Sequence, residues 1–256
     1  MRFTSKACSG IAFLLLTVPL FARTYSTSFP ATENPICEGS PCNWKGGQTA
    51  GGNLWGNAQT TSGFAFGVTQ PTTFGDPTAI LTGTWGSNQT VQATVKITGS
   101  LPGVAEVELR LRNTISANSI TGYEAYCSVV SGNPYCHIAR WNGPNGQYCN
   151  IASGPQFLAN NDVIKATVTD DASNNPVITM YRLVSGNWNQ LMTVTDTGNN
   201  SGGDPGCGSG KPQFHSGSPG IGFYTSGSFN SFGLTNFMAT DGSVVAPPTG
   251  LTDVVH

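Results

Sequence analysis

Apolar and polar residues alternate with a period of two through most of the chain, the pattern of strands with one face buried. The alternation is clear in "AILTGTW" from Ala79, "QTVQATVKIT" from Gln89, "EVELRLR" from Glu106 and "GYEAYCSVV" from Gly122. It continues through "YCHIARW", "QYCNIA", "DVIKATVTD", "VITMYRLV" and "WNQLMTVTD" to two closing segments, "SPGIGFYTSG" from Ser218 and "FGLTNFMATD" from Phe232. Turn chemistry separates them: "SGNP" at Ser131, "GPNG" at Gly143, "DASNNP" at Asp171 and "SGNW" at Ser185. Roughly ten or more strands, spaced about 8–12 residues apart, predict an all-β, two-sheet antiparallel sandwich rather than a parallel α/β sheet. The chain has no internal repeat of the kind that builds a propeller or solenoid.

Alternation assigns faces even where partners are open. If "SGNP" closes a hairpin, Val130 faces Tyr135, Glu124 lies with Trp141 and Ser128 with His137; if "GPNG" closes the next, Trp141 faces Tyr148. A slip of two residues changes those partners but not the faces. One face therefore carries Cys127, Val129, Cys136, Ile138, Cys149 and Ile151, an expected core side. The other carries Glu124, Tyr126, His137, Trp141, Tyr148 and Asn150. In the preceding strand Val107, Leu109 and Leu111 turn to the core, which puts Glu106, Glu108, Arg110 and Arg112 beside Glu124 and Tyr126. In the closing strands Ile221, Phe223, Leu234 and Phe237 are expected core, and these strands are expected to close the fold without chemistry of their own.

Composition narrows the partners. The 256 residues fit one sandwich domain, with 33 glycines and only 9% charged residues. A net charge of −2 without a basic cluster gives a phosphate backbone nothing to bind, so no nucleic acid partner is expected. At the N-terminus Arg2 and Lys6 precede the apolar stretch "IAFLLLTVPLF". That stretch is too short for a helix across a bilayer core of about 30 Å but fits a secretory signal. The expected organisation is a signal peptide over 1–26, cleaved after Ala22 or Ser26, a domain over 27–245 and an extended proline-containing tail over 246–256. No second apolar segment follows, so a secreted protein, extracellular or periplasmic, with no membrane span is expected. Cys8 leaves with the signal, and six cysteines remain without a C-x-x-C pair, which argues for disulfides over a metal site. Cys37 and Cys42 are close enough to close a local ring; Cys127, Cys136, Cys149 and Cys207 supply two further bridges of open connectivity.

Three segments carry a family resemblance: "NDVIKATVTDD", "NNPVITMYRLVSGNWNQLMTVTD" and "SGSPGIGFYTSGSFNSFGLTNFMATD". Together they resemble the C-terminal half of concanavalin A-like (laminin-G-type) jelly-roll domains of secreted bacterial proteins. "FPATENPICEGSPCNW" is similar to the opening edge segment of the same domains. The resemblance implies a jelly-roll sandwich of the lectin and glucanase type, whose concave sheet holds a glycan. It also implies a structural calcium where the first and last strands meet, with Asp241, Glu33 and Asn34, and Glu38 nearby, as oxygen ligands. No cofactor is required beyond that ion. Because lectins, glucanases, lyases and adhesion modules share this sandwich, the resemblance speaks to fold more than to activity.

The chemistry of the polar face suits sugars. Tyr126, Trp141 and Tyr148 offer rings to a pyranose, while Glu106, Arg110, Arg112 and Asn150 offer paired hydrogen bonds to hydroxyls or a uronate. Carbohydrate binding is the leading expectation. An alternative is a polysaccharide-cleaving enzyme on the same face. A hydrolase needs two carboxyls about 5–5.5 Å or about 6.5–9.5 Å apart, for which Glu108 and Glu124 are the candidates. The tight E-x-D-x-E cluster of laminarinase-type jelly rolls is absent. A lyase would use Arg110, His137 and Tyr126, yet the matching Gln-x-His and Tyr-x-Lys strands are also absent. A third possibility is a structural surface protein whose Glu and Arg form exposed cross-strand pairs, each contributing about 0.2–1 kcal/mol.

Overall fold

The computed structural model describes residues 22–46, 55–68, 76–116, 118–144 and 146–242. Residues 1–21 of the expected leader, Cys8 among them, and the whole expected tail 246–256 lie outside the described residues. The described residues form fifteen strands and no helix. In chain order these are β1 (Thr24–Thr27), β2 (Trp44–Gly46), β3 (Ala58–Thr61), β4 (Phe64–Gly67) and β5 (Thr78–Leu81). The longer strands follow: β6 (Gln89–Ile97), β7 (Ala105–Ser116), β8 (Ser119–Ser128), β9 (Cys136–Pro144) and β10 (Tyr148–Gly154). The last five are β11 (Val163–Asp170), β12 (Pro176–Val184), β13 (Asn187–Thr195), β14 (Ser218–Thr225) and β15 (Phe232–Thr240). The strands β1 to β4 are only three or four residues long, too short for a period of two to announce them.

The strands make two antiparallel sheets, as the alternation predicts, in a jelly-roll sandwich. One sheet runs β13-β12-β11-β6-β15-β4-β3, with β1 added on β15. The other runs β10-β9-β8-β7-β14-β5-β2. The closing segments go one to each sheet: β14 pairs β7 and β5, and β15 pairs β6, β4 and β1. Between the sheets the expected core residues meet. Val107, Leu109, Leu111, Ile221 and Phe223 of one sheet and Val91, Ala93, Val95, Leu234 and Phe237 of the other are all 0–1% exposed. Burying such side chains contributes about 1.5–3 kcal/mol each relative to exposure.

The central meander keeps the expected faces but slips in register. Tyr126 pairs with His137 and Glu124 with Ala139, two residues from the placement a tight "SGNP" turn gives. Trp141 does pair with Tyr148. The cysteine connectivity is Cys37–Cys42, Cys127–Cys136 and Cys149–Cys207. Cys127 and Cys136 are directly opposed on β8 and β9, and Cys149–Cys207 ties β10 to the long connection between β13 and β14. The same connection is anchored by a buried ion pair in which Arg140 Nη1 donates to Asp196 Oδ1 at 2.6 Å, and the Tyr123 hydroxyl donates to Asp196 Oδ2 at 2.8 Å.

Ring size separates the bridges. The chain-entropy account gives about 4 kcal/mol for the bridge spanning 58 positions, Cys149–Cys207, against about 2 kcal/mol for Cys37–Cys42, which spans 5. Replacing both cysteines of each pair with Ala and comparing denaturant midpoints is expected to show the larger loss for Cys149–Cys207. Phe223→Ala empties a fully buried site and is expected to lower stability by about 3–5 kcal/mol in the same measurement.

Candidate functional site

The outer face of the seven-stranded sheet is laid out in rows by the strand register. One row runs Lys45–Ile80–Gly220–Arg110–Glu124–Ala139–Asn150 across all seven strands. A second, two residues along, runs Thr78–Gly222–Glu108–Tyr126–His137–Ser153, and a third holds Tyr224–Glu106–Ser128. Where these rows meet, a cavity of about 260 Å³ is lined by Asp76, Glu106, Glu108 and Glu124, with Tyr126, Trp141, Tyr148, Tyr224 and Ala139 completing it. The register thus gathers Glu106, Glu108, Arg110, Glu124, Tyr126, Trp141 and Tyr148 into one site, as alternation predicts.

The ions there are buried, not an exposed cross-strand ladder. Arg110, Glu108 and Glu124 are 0%, 1% and 3% exposed. Arg110 Nη1 donates to Glu124 Oε2 at 2.8 Å, and Nη2 donates to Asp76 Oδ1 at 2.6 Å, to Thr78 Oγ1 at 3.1 Å and to Glu108 Oε2. The Trp141 indole N–H donates to the same Glu124 oxygen, and the Tyr135 hydroxyl donates to Glu106 Oε1. Space for the guanidinium comes from the closing strand. A Cβ on Gly222 would collide with Glu108 Oε2 and the Arg110 guanidinium, so the second glycine of "GIG" clears the room they occupy. The expectation that the closing strands only complete the core is corrected on this point: the outward residues Gly220, Gly222 and Tyr224 of β14 belong to the site.

Four carboxyls face one guanidinium, and burial more than that excess decides their protonation. Burial is the main cause that pushes Glu106 up to about 8 and Glu124 up to about 7. Burial likewise raises Glu108 well above the usual carboxylate range and raises Asp76, against the pull of Arg110. Burial alone would lower the Arg110 pKa, but Glu108, Glu124 and Asp76 together raise it above its ordinary value. His137 is pulled below its ordinary value by burial, and burial raises the Tyr126 and Tyr148 hydroxyls.

Other expected site residues fall around this centre or away from it. Asn150 accepts a hydrogen bond from the Tyr126 hydroxyl at 2.9 Å. His137 stacks on Tyr126 at 5.1 Å between ring centroids, with Nδ1 2.8 Å from Ser153 Oγ. Trp141 is 4% exposed and packs on Trp55 and Tyr148, so it is a structural wall rather than a solvent-facing platform. Arg112 is a correction. β7 bulges between Leu111 and Thr114, with Arg112 at φ 51°, and the alternation breaks there. Its guanidinium leaves the cavity face and instead bonds Asp170 at 2.8 and 3.1 Å and the carbonyls of Ser87 and Phe214. Asp76 and Tyr224 escaped the sequence reading. Asp76 lies before a strand, outside any alternation, whereas Tyr224 follows from the period of β14 once Ile221 and Phe223 are taken as core.

The expected calcium ligands are engaged otherwise. Asp241 accepts the N–H groups of Arg23 at 2.6 Å and Gly86 at 2.7 Å, one on each oxygen. Glu33 Oε2 accepts the N–H groups of Cys37 at 2.8 Å and Glu38 at 2.9 Å, and Glu38 takes the Tyr25, Thr27 and Trp44 donors. Carboxylates that serve as N–H acceptors in separate networks do not fit a calcium ion, which needs them converging on one point. Asn34 carries no contact that changes this.

No protein-family model matches the chain, and no curated protein is similar to it in sequence. Among solved structures, the carbohydrate-binding module CBM66 from Bacillus subtilis is 14% identical over 75% of this chain and 95% of its own, with a TM-score of 0.46. The exoplasmic/lumenal domain of VIP36, solved with Ca2+ and Man3GlcNAc, is 11% identical over 85% of this chain and 93% of its own, with a TM-score of 0.47. A β-glucanase from Bacillus licheniformis is 14% identical over 85% and 94%, with a TM-score of 0.42. At such identities and TM-scores these likenesses carry no argument about a ligand.

Two measurements probe the charged centre. Gly222→Ala is expected to lower the melting temperature by several degrees, because either Glu108 or Arg110 has to leave its partners; an unchanged value would contradict the packing. The second uses pH. The folded pKa of Glu106 is raised from 4.5 to about 8, so its contribution to stability is fully present below the unfolded value and is lost as pH rises through the folded one. Glu106→Gln removes that loss, so the variant is expected to melt above the parent at about pH 8.5 and close to it at about pH 4.

Proposed function

We propose that the outer face of the seven-stranded sheet binds a carbohydrate in the cavity around Glu108 and Glu124. The observation that carries this reading is the combination of ring walls and carboxyl floor. Tyr126, Trp141, Tyr148 and Tyr224 surround a cavity of about 260 Å³ whose base is four carboxyls. Rings take the apolar face of a pyranose and carboxyls take its hydroxyls, as donors when protonated and as acceptors when not. The CBM66 and VIP36 structures, a carbohydrate-binding module and a protein solved with Man3GlcNAc, share this sandwich, but the proposal rests on the cavity. Three disulfides fit an oxidising compartment, extracellular or lumenal, and among the described residues no helix is long and apolar enough to cross a membrane. A signal cleaved after Ala22 leaves β1 whole, whereas cleavage after Ser26 removes most of it.

One observation favours a second reading, cleavage of the bound glycan. Burial pushes Glu106 up to about 8, so it holds its proton at neutral pH as a general acid for glycosidic-oxygen departure must, and raises Glu124 to about 7 beside it. Within the cleavage reading the geometry favours hydrolysis over β-elimination. Both terminal nitrogens of Arg110 are taken by carboxyls and its unpartnered Nε is buried beneath Gly222, out of reach of a uronate, and His137 lies beside the cavity rather than on its lining.

A polysaccharide panel scored for retention and for released reducing ends tests both. Tyr148→Ala, at a half-buried wall, is expected to weaken retention about five- to tenfold, the loss of one ring contact of about 1–1.5 kcal/mol. Glu124→Gln separates the classes: a hydrolase keeps retention and loses turnover by about a hundredfold or more, whereas a binding module only loses part of its affinity. If no polysaccharide is retained and none is cleaved, the site is not a saccharide site.

A further inference from the structure

We infer that the sugar taken by this cavity carries a free ammonium group, making the ligand an amino sugar and not a uronate. The inference rests on the saccharide reading and deepens it. Its first ground is the spent cation. Arg110 is surrounded by Asp76, Glu108 and Glu124, and among the described residues no lysine, arginine or histidine lines the cavity. A carboxylate entering there finds no free cation to pair with, whereas an ammonium finds four carboxyls that attract it once ionised.

The second ground is what those carboxyls leave open. Each of Asp76, Glu106, Glu108 and Glu124 uses one oxygen for its protein partners. The other oxygen of each accepts no hydrogen bond from the described residues, and all four carboxyls line the cavity. A carboxyl oxygen that lines a cavity without a protein partner is open to a donor on the ligand. An ammonium brings three N–H donors and a charge, and the rings of Tyr126, Trp141, Tyr148 and Tyr224 add cation–π attraction. A divalent metal is a poorer fit. The carboxylate oxygens are spread around a guanidinium, and the one group of three candidate ligand side chains within reach of a single ion, among the described residues, is Cys149, Asp204 and Cys207, two of which form a disulfide.

Binding of an ammonium implies a proton balance. Glu106, pushed up to about 8 by burial, holds its proton in the free protein near neutrality and gives it up to solvent as the cation arrives. The groups facing that exchange are Glu106, Glu108 and Arg110 on β7, Glu124 and Tyr126 on β8, His137 on β9, Tyr148 on β10, Tyr224 on β14, Asp76 before β5 and Tyr135 in the turn between β8 and β9.

Calorimetric titration of the full chain with three probes tests this: a glucosamine tetramer, its N-acetylated counterpart and a galacturonate tetramer. The glucosamine tetramer is expected to bind about tenfold or more tighter than the N-acetylated one. Its heat should vary with the ionisation enthalpy of the buffer, reporting proton release, and its affinity should rise between about pH 5.5 and about pH 7. Glu106→Gln is expected to shrink the preference for the free amine about tenfold. If that variant does not fold, the proton release of the parent protein decides. Equal binding of the glucosamine and N-acetylated tetramers, tighter binding of the galacturonate, or glucosamine binding without proton release would overturn the inference while leaving the saccharide reading standing. If none of the three binds and the polysaccharide panel is also blank, both fall.

Discussion

The outer face of the seven-stranded sheet depends on the burial of the Arg110 guanidinium. A buried cation needs opposite charge around it, and here Asp76, Thr78, Glu108 and Glu124 meet the two terminal nitrogens while Nε has no hydrogen-bond partner. That requirement reaches across strands that are distant in sequence. β7 supplies Arg110 and Glu108, β8 supplies Glu124, the approach to β5 supplies Asp76, and β14 supplies the empty volume at Gly222. Breaking such a centre by removing one partner strands a charge in a low dielectric, a far larger loss than a surface pair would give.

The same centre explains why stability and function are not cleanly divided in this fold. Trp141 walls the cavity, holds Glu124 through its indole N–H, lies 5.7 Å from the Arg110 guanidinium carbon across its ring and packs against Trp55. A side chain with those four duties cannot be removed from the ligand's wall without loosening the charges beneath it. The surplus of carboxyls is a standing electrostatic burden on the folded state, since Asp76, Glu108 and Glu124 share one guanidinium and Glu106 is ion-paired with none of the described residues. A site that keeps such a burden is typical of places where shifted protonation is put to use.

Two other buried arginines show the contrast. Arg112 pairs with Asp170 between the strands and a loop carbonyl, and Arg140 pairs with Asp196 where the β13–β14 connection is pinned. Each has a matched carboxylate. They hold loops in place, and Cys149–Cys207 reinforces the one beside Arg140. Arg110 differs in having more acid around it than it can neutralise.

Much of this was legible in the sequence because strand periodicity is local. The faces of "EVELRLR", "GYEAYCSVV" and "YCHIARW" follow from alternate residues alone, so Glu106, Glu108, Arg110, Glu124, Tyr126 and Trp141 could be put on one side without knowing a single partner. A two-residue slip in the β8–β9 register left that assignment intact. What the sequence could not decide depends on contacts between distant segments. The bulge that turns Arg112 away is a local event with no composition signal, set by how β7 fits its neighbours. Asp76 and Gly222 enter the site only because β5 and β14 pack beside β7, and nothing near them in the chain announces it. Burial, too, is tertiary: the alternation told that Glu and Arg share a face, but only the closure of that face around Trp55, Trp141 and Tyr148 turned an expected exposed ion ladder into a desolvated, over-acidic cavity. Periodicity is written in neighbouring residues, whereas dielectric and charge balance are properties of everything within a few ångströms, whichever part of the chain it comes from.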